Sequence, residues 1–216
     1  MTSLQPYLDR LPLVAILRGV TPEEAPAIGR ALVEAGFAII EVPLNSPEPI
    51  ESIRRLAAAC GSDALIGAGT VMAPADVEAV AEAGGRIIVM PHADPAVIAA
   101  AKRRSLVCTP GIATPTEGFA ALAAGADALK LFPAEAMPPP VLKALISVFP
   151  RGTRFLPVGG ISPDSMRAYA EAGAAGFGLG SALYRPGMSA ADVGARAATF
   201  ATAWRRLGMP GRQANG

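Results

Sequence analysis

The sequence predicts an α/β fold, a single (β/α)8 TIM barrel spanning 1–216, on three observations. Eight short apolar runs rich in β-formers recur along the chain. An Ala-rich stretch with charged residues at helical spacing follows each run, for a period of about 20–25 residues. Each run is apolar almost throughout, which suits strands buried on both faces of a helix-covered parallel sheet. Eight is the number that closes such a sheet on itself. An open doubly wound sheet normally has fewer strands and a GxGxxG turn after the first, and no such turn follows the first run here.

In chain order, strands are expected at LVAIL (13–17), AIIEV (38–42), ALIGA (64–68), RIIVM (86–90), LVCT (106–109), ALKLF (128–132), RFLPV (154–158) and AGFGLG (175–180). Helices are expected near 22–35, 47–59, 74–83, 94–103, 115–124, 138–148, 163–172 and 189–206. Thr21-Pro22-Glu23-Glu24, Ser46-Pro47-Glu48 and Ser162-Pro163-Asp164 carry the residues of helix starts. Gly36, Gly84, Gly125 and Gly173 follow Ala at helix ends, where a left-handed glycine stops the helix. A chain of 216 residues is compact for this fold and leaves no room for an inserted domain; 207–216 read as a loose tail.

Composition narrows the function. A net charge of +1 and 5% aromatic residues provide neither the basic footprint nor the stacking platforms of a nucleic-acid binder. No apolar run approaches the roughly 20 residues of a membrane helix, and the opening MTSLQPYLDRLP lacks a secretory pattern. Cys60 and Cys108 lie far apart in different element types and read as small buried side chains in a reducing, cytoplasmic setting. His92 is the lone histidine, which argues against a catalytic zinc site, so no metal is expected. It reads as a rim residue with a structural hydrogen bond.

In this fold the chemistry sits at the C-terminal ends of the strands. Of three lysines, Lys102 and Lys143 fall on helices, whereas Lys130 interrupts an apolar strand between Leu129 and Leu131. Strand side chains alternate, so the leucines face the helices and Lys130 points inward. Burial lowers an amine's pKa and frees it to attack a carbonyl, although a structural ion pair also fits. By the same parity Glu41 faces inward, as a proton carrier or as the counter-ion of Lys130. Arg18 offers a planar fork for a carboxylate or phosphate, or else a rim salt bridge. Thr70 either orients a carboxylate or caps a helix. The glycine loops after strands 7 and 8, with Gly160, Gly180 and Ser181, suit phosphate binding through backbone N–H groups.

The run from Leu13 to about Arg205 resembles the 2-keto-3-deoxy-6-phosphogluconate (KDPG) and 2-keto-3-deoxy-6-phosphogalactonate (KDPGal) aldolases. AILRG, EVPLNS, IGAGTV, TPGIATPTE, ALKLFPAE, PVGGIS and GLGSALY carry the likeness, in the family's order. The resemblance implies a metal-independent class I aldolase without cofactor, acting through a covalent imine. It implies Lys130 as the Schiff-base residue, Glu41 as general acid/base and Thr70 on the pyruvyl carboxylate. Gly160, Gly180 and Ser181 would line the phosphate site. A cytoplasmic homotrimer is expected, with a phosphorylated keto acid as partner and neither nucleic acid nor membrane.

Two positions favour the galactonate branch. Asn45 stands where the gluconate enzymes carry Arg, and Val158 where they carry Thr before the Gly-Gly. Arg18 is taken as the replacement anchor. The expected reaction cleaves 2-dehydro-3-deoxy-6-phosphogalactonate to pyruvate and D-glyceraldehyde 3-phosphate, in galactonate breakdown. The alternatives are KDPG or 4-hydroxy-2-oxoglutarate cleavage, or a non-catalytic phosphosugar-binding barrel.

Overall fold

The computed structural model describes residues 2–208 and is an α/β fold with parallel strands. The strands are β1 (Leu13–Ile16), β2 (Ile39–Pro43), β3 (Leu65–Gly69), β4 (Ile87–Val89), β5 (Val107–Thr109), β6 (Gly111–Ile112), β7 (Leu129–Leu131), β8 (Phe155–Pro157) and β9 (Phe177–Leu179). They pair as a six-stranded sheet, β5-β4-β3-β2-β1-β9, and a three-stranded sheet, β6-β7-β8. All pairs are parallel.

The fifth expected strand is β5, and past Pro110 the chain adds a two-residue strand that was not expected, β6, which pairs with β7. Proline has no N–H to give the ladder, so pairing breaks there. The Pro110 carbonyl still accepts from Lys130 N at 2.8 Å, and an isolated parallel bridge links Val158 to Gly178.

The helices are α1 (Gln5–Arg10), α2 (Ala25–Glu34), α3 (Pro49–Cys60), α4 (Pro74–Glu82), α5 (Pro95–Arg103), α6 (Pro115–Ala123), α7 (Pro139–Val148), α8 (Met166–Ala172) and α9 (Ala190–Arg206). Three of them start more than one residue later than the sequence suggests. Residues 22–24 form a turn before α2, α3 begins at Pro49 and α8 at Met166. At the first of these, Glu24 accepts from the Thr21 N–H and hydroxyl, so the capping residues close a turn rather than the helix itself. The helix ends agree: Gly36, Gly84, Gly125 and Gly173 all have φ between 87° and 112°.

The sequence reading missed α1. Its Leu8, with Leu4 just before it, joins Val14, Ile39, Leu65, Ile87 and Leu156 in a cluster on the sheet face turned away from the other helices. The opposite face packs against α2–α9 in the larger core, where Phe37, Phe155 and Phe177 are wholly buried. Each such ring contributes about 1.5–3 kcal/mol relative to exposure. Strand parity sorts the two faces: Ile39 lies in the inner cluster and Ile40 in the outer. Leu207, where a loose tail is expected to begin, packs against the larger core; 209–216 lie outside the described residues.

Cys60 and Cys108 are buried and free, as expected, and burial pushes the Cys108 thiol up to about 12. Lys102 is less solvated than its helix position suggests. Its Nζ donates to Asp127 at 2.7 Å and to the Leu106 carbonyl at 3.1 Å.

Candidate active site

Lys130 and Glu41 reach the same place from opposite parts of the chain. Lys130 is central in β7, in register with Gly111 and Leu156; Glu41 is central in β2, in register with Ile16 and Gly67. Leu129 and Leu131 belong to the helix-facing core, so alternation turns Lys130 to the other face. Lys130 is 6% exposed and Glu41 1%, and both line one cavity on that face. Val158 lines it too. Its side chain fits against the bare backbone of Gly178, where a Cβ would come within 2.6 Å of Val158 Cγ2.

The electrostatics follow from that burial. Removal from water raises the Glu41 carboxyl to about 7, against the smaller opposing pull of Lys130 and then Arg18. Desolvation lowers the Lys130 amine, partly offset by Glu41 and reinforced by Arg18. The pair therefore combines an amine that yields its proton more readily with a carboxyl that holds or releases one near neutrality. Phe132, two residues on from Lys130 and half exposed, presents its ring 4.7 Å from Lys130 Nζ. Its contact with the amine follows from the same strand parity.

The mouth of the site is set by loops after β1, β2 and β3. Arg18 donates through Nη1 to Asn45 Oδ1 and through Nη2 to Thr70 Oγ1 at 3.5 Å. The Gly19 N–H donates to Ser46 Oγ at 2.9 Å, joining the first two loops. Among the described residues Arg18 makes no salt bridge, and its fork rests on two neutral side chains. Thr70 does not cap a helix, since the N-cap of α4 is Ala73. It adopts φ 56°, a left-handed conformation that is strained for a β-branched residue by about 1–3 kcal/mol.

Gly160, Gly180 and Ser181 stand at the same strand ends, after β8 and β9. Leu183 N and Tyr184 N donate to the Gly180 carbonyl at 2.8 and 3.0 Å, folding 180–184 into one tight turn. Ser181 is exposed, and no atom lies within 4 Å of where a Gly180 Cβ would sit. The sequence reading missed Glu135, which lies across the Gly159-Gly160 backbone: a Cβ on Gly159 would come within 2.1 Å of its Oε2. The 3-10 turn Ala134–Ala136 puts it there, held by the Ala134 N–H on the Val158 carbonyl at 2.9 Å.

His92 is exposed, and its carbonyl accepts from Gly111 N at 3.2 Å. Among the described residues no three of His, Cys, Asp and Glu converge to hold a metal ion. Nor is any described helix long and apolar enough to cross a membrane.

Residues 4–196 match the family model for KDPG and KHG aldolase. The chain is 47% identical over 199 residues to the 2-dehydro-3-deoxy-6-phosphogalactonate aldolase of Escherichia coli (strain K12), covering 92% of this chain and 97% of the relative. It is 48% identical over 192 residues to a probable 2-dehydro-3-deoxy-6-phosphogalactonate aldolase of Rhizobium meliloti (strain 1021), covering 89% and 90%. A solved native KDPGal structure superposes with a TM-score of 0.90 at 46% identity, covering 92% of this chain and 96% of that one. With the match running through both strands that carry Lys130 and Glu41, the chain belongs to the KDPG and KHG aldolase family.

Proposed function

We propose that this protein is a class I aldolase that cleaves 2-dehydro-3-deoxy-6-phosphogalactonate to pyruvate and D-glyceraldehyde 3-phosphate. The observation that carries the chemistry is the buried pair, Lys130 and Glu41, facing one cavity with their pKa values drawn toward neutrality. The relatives' names carry the substrate.

Neutral Lys130 adds to the C2 carbonyl and forms a carbinolamine. Glu41 protonates the departing C2 oxygen, water leaves, and an iminium remains. The iminium is the electron sink. Removal of the C4 hydroxyl proton, by Glu41 through a water, lets C3–C4 break to an enamine and the aldehyde. Protonation of the enamine and hydrolysis release pyruvate. The iminium performs the polarisation that a Lewis acid performs elsewhere, so the reaction needs neither metal nor cofactor.

Arg18, steadied by Asn45 and Thr70, binds the substrate carboxylate, and Thr70 contributes its hydroxyl. Gly160, Gly180 and Ser181 bind the phosphate. Val158 adds a hydroxyl-free wall beside the C4 centre, which suits the galacto epimer.

In this reading the two sheets are one closed (β/α)8 barrel. The chain's continuity through Pro110 and the Val158–Gly178 bridge support that closure. A homotrimer follows from the family resemblance, and exposed Phe119, Val141 and Val148 on α6 and α7 offer an apolar surface to other copies. The resemblance also places the enzyme in the cytoplasm, and the free thiols of Cys60 and Cys108 suit that compartment.

Borohydride reduction in the presence of pyruvate, followed by peptide mapping, tests the central step. The adduct is expected on Lys130 and absent from K130A, which should also lose aldol cleavage. A wild-type protein that forms no adduct would overturn the reading.

A further inference from the structure

The cavity that Lys130 and Glu41 share is walled mainly by apolar side chains, among them Val14, Ile16, Val89 and Leu156. One further polar side chain faces it. Thr109, at the end of β5, is 3% exposed, and its Oγ1 has no hydrogen-bond partner. Glu41 Oε2, in the same cavity, also lacks one.

Two other threonine hydroxyls in this chain satisfy themselves locally. Thr153 Oγ1 donates to the Pro150 carbonyl at 2.8 Å, and Thr199 Oγ1 to the Ala195 carbonyl at 3.0 Å. Around Thr109 the backbone groups bond to one another, and none accepts from the hydroxyl. The Thr109 carbonyl accepts from Met90 N at 3.2 Å, the Pro110 carbonyl accepts from Lys130 N, and Gly111 N donates to His92. Pro110 has no N–H to offer. An unpaired buried hydroxyl costs about 1–3 kcal/mol, and valine would fill the same volume without that penalty. The hydroxyl is therefore free for a partner that enters the cavity.

We propose that Thr109 is a further catalytic residue, its hydroxyl hydrogen-bonding the oxygen on C2 of the keto acid that reacts with Lys130. This rests on the Schiff-base reading above. As Lys130 nitrogen bonds to C2, the carbonyl π electrons move onto that oxygen, which takes up one amine proton to become the carbinolamine hydroxyl. Glu41 then gives its carboxyl proton to the hydroxyl as C2–O breaks. Water leaves, the iminium keeps the second amine hydrogen, and Glu41 remains as carboxylate. An O–H donor in a cavity walled mainly by apolar side chains meets charge on oxygen as it develops, where such donors act most strongly.

The test follows loss of oxygen-18 from C2-labelled pyruvate into water, above its uncatalysed hydration, in wild type, T109V and T109S. T109V should exchange label about tenfold more slowly at saturating pyruvate, the loss of one hydrogen bond to a charged transition state. Its Tm should equal or exceed that of wild type, since an unpaired buried hydroxyl is gone. T109S should recover most of the rate. If T109V does not fold, T109A makes the same comparison. Exchange in T109V at the wild-type rate, or a T109S as slow as T109V, overturns the proposal. A wild-type protein that neither exchanges label nor traps pyruvate on Lys130 overturns the Schiff-base reading instead.

Discussion

Gly69 is bare where the Glu41 carboxylate lies: a Cβ built on Gly69 would stand 1.8 Å from Glu41 Oε2. Glu41 on β2 can turn into the cavity only because the neighbouring strand presents no side chain at that point. The added Cβ and the carboxylate cannot both keep their places, and the end of a flexible side chain gives way before a strand backbone, so G69A should displace Glu41. The expected result is loss of cleavage by about tenfold or more with the fold retained, measured by kcat and circular dichroism. A G69A enzyme of wild-type kcat would mean that the position of Glu41 is immaterial.

Glu41 should also set a pH limb. Burial raises its carboxyl to about 7, and on the proposed mechanism expulsion of water from the carbinolamine uses the protonated form. Imine formation with pyruvate should therefore decline as pH rises through 7. In E41Q that limb should vanish and the rate should be low throughout. Stopped-flow trapping across pH 5–9, about two units either side of neutrality, reads this directly.

The same shift predicts a stability effect of the same sense as its catalytic one, lost as pH rises. Burial raises the folded-state pKa from 4.5 to about 7. Below 4.5 both states hold the proton. Between 4.5 and about 7 the unfolded chain releases it while the folded protein retains it, so stability falls as pH rises. E41Q lacks this slope. Above neutrality it should be more stable than wild type by on the order of 2–3 kcal/mol, a difference that disappears at acid pH. Denaturant midpoints at acid and alkaline pH check this; a destabilised E41Q at alkaline pH would contradict the assignment of burial as the dominant cause.

Glu135 should hinder the phosphate. Its carboxylate lies on the Gly159-Gly160 backbone, and a bound phosphate would meet that negative charge. E135Q should lower KM for the phosphorylated substrate several-fold, about 1 kcal/mol of relieved repulsion, and leave kcat near wild type. The non-phosphorylated keto acid should show no change. A KM that rises instead would assign Glu135 a supporting role in that loop.

Val158 should govern the epimer preference. V158T restores a hydroxyl at the cavity wall and is expected to move the kcat/KM ratio toward the gluco epimer. Combining it with N45R should move it further, although Asn45 also steadies Arg18, so the effects need not add. Kinetics on the two C4 epimers decide the matter.

Much of this site is legible in the linear chain because strand alternation is a local property. Leu129-Lys130-Leu131 and the parity of Ile39, Ile40 and Glu41 tell which way each side chain turns before any strand is paired. The apolar runs, their spacing and the glycines at helix ends follow from backbone sterics within a few residues. What the sequence could not decide depends on partners distant along the chain. That Thr109 finds no partner, that Gly69 makes room for Glu41, and that Arg18 rests on Asn45 and Thr70 all arise from register between separate strands and loops. The inner face is also capped by α1 through Leu4 and Leu8, which a six-residue helix too short to show periodicity did not announce. Local sterics act within a few bonds and can be read in order, whereas convergence on a cavity depends on pairing and packing among all the strands at once.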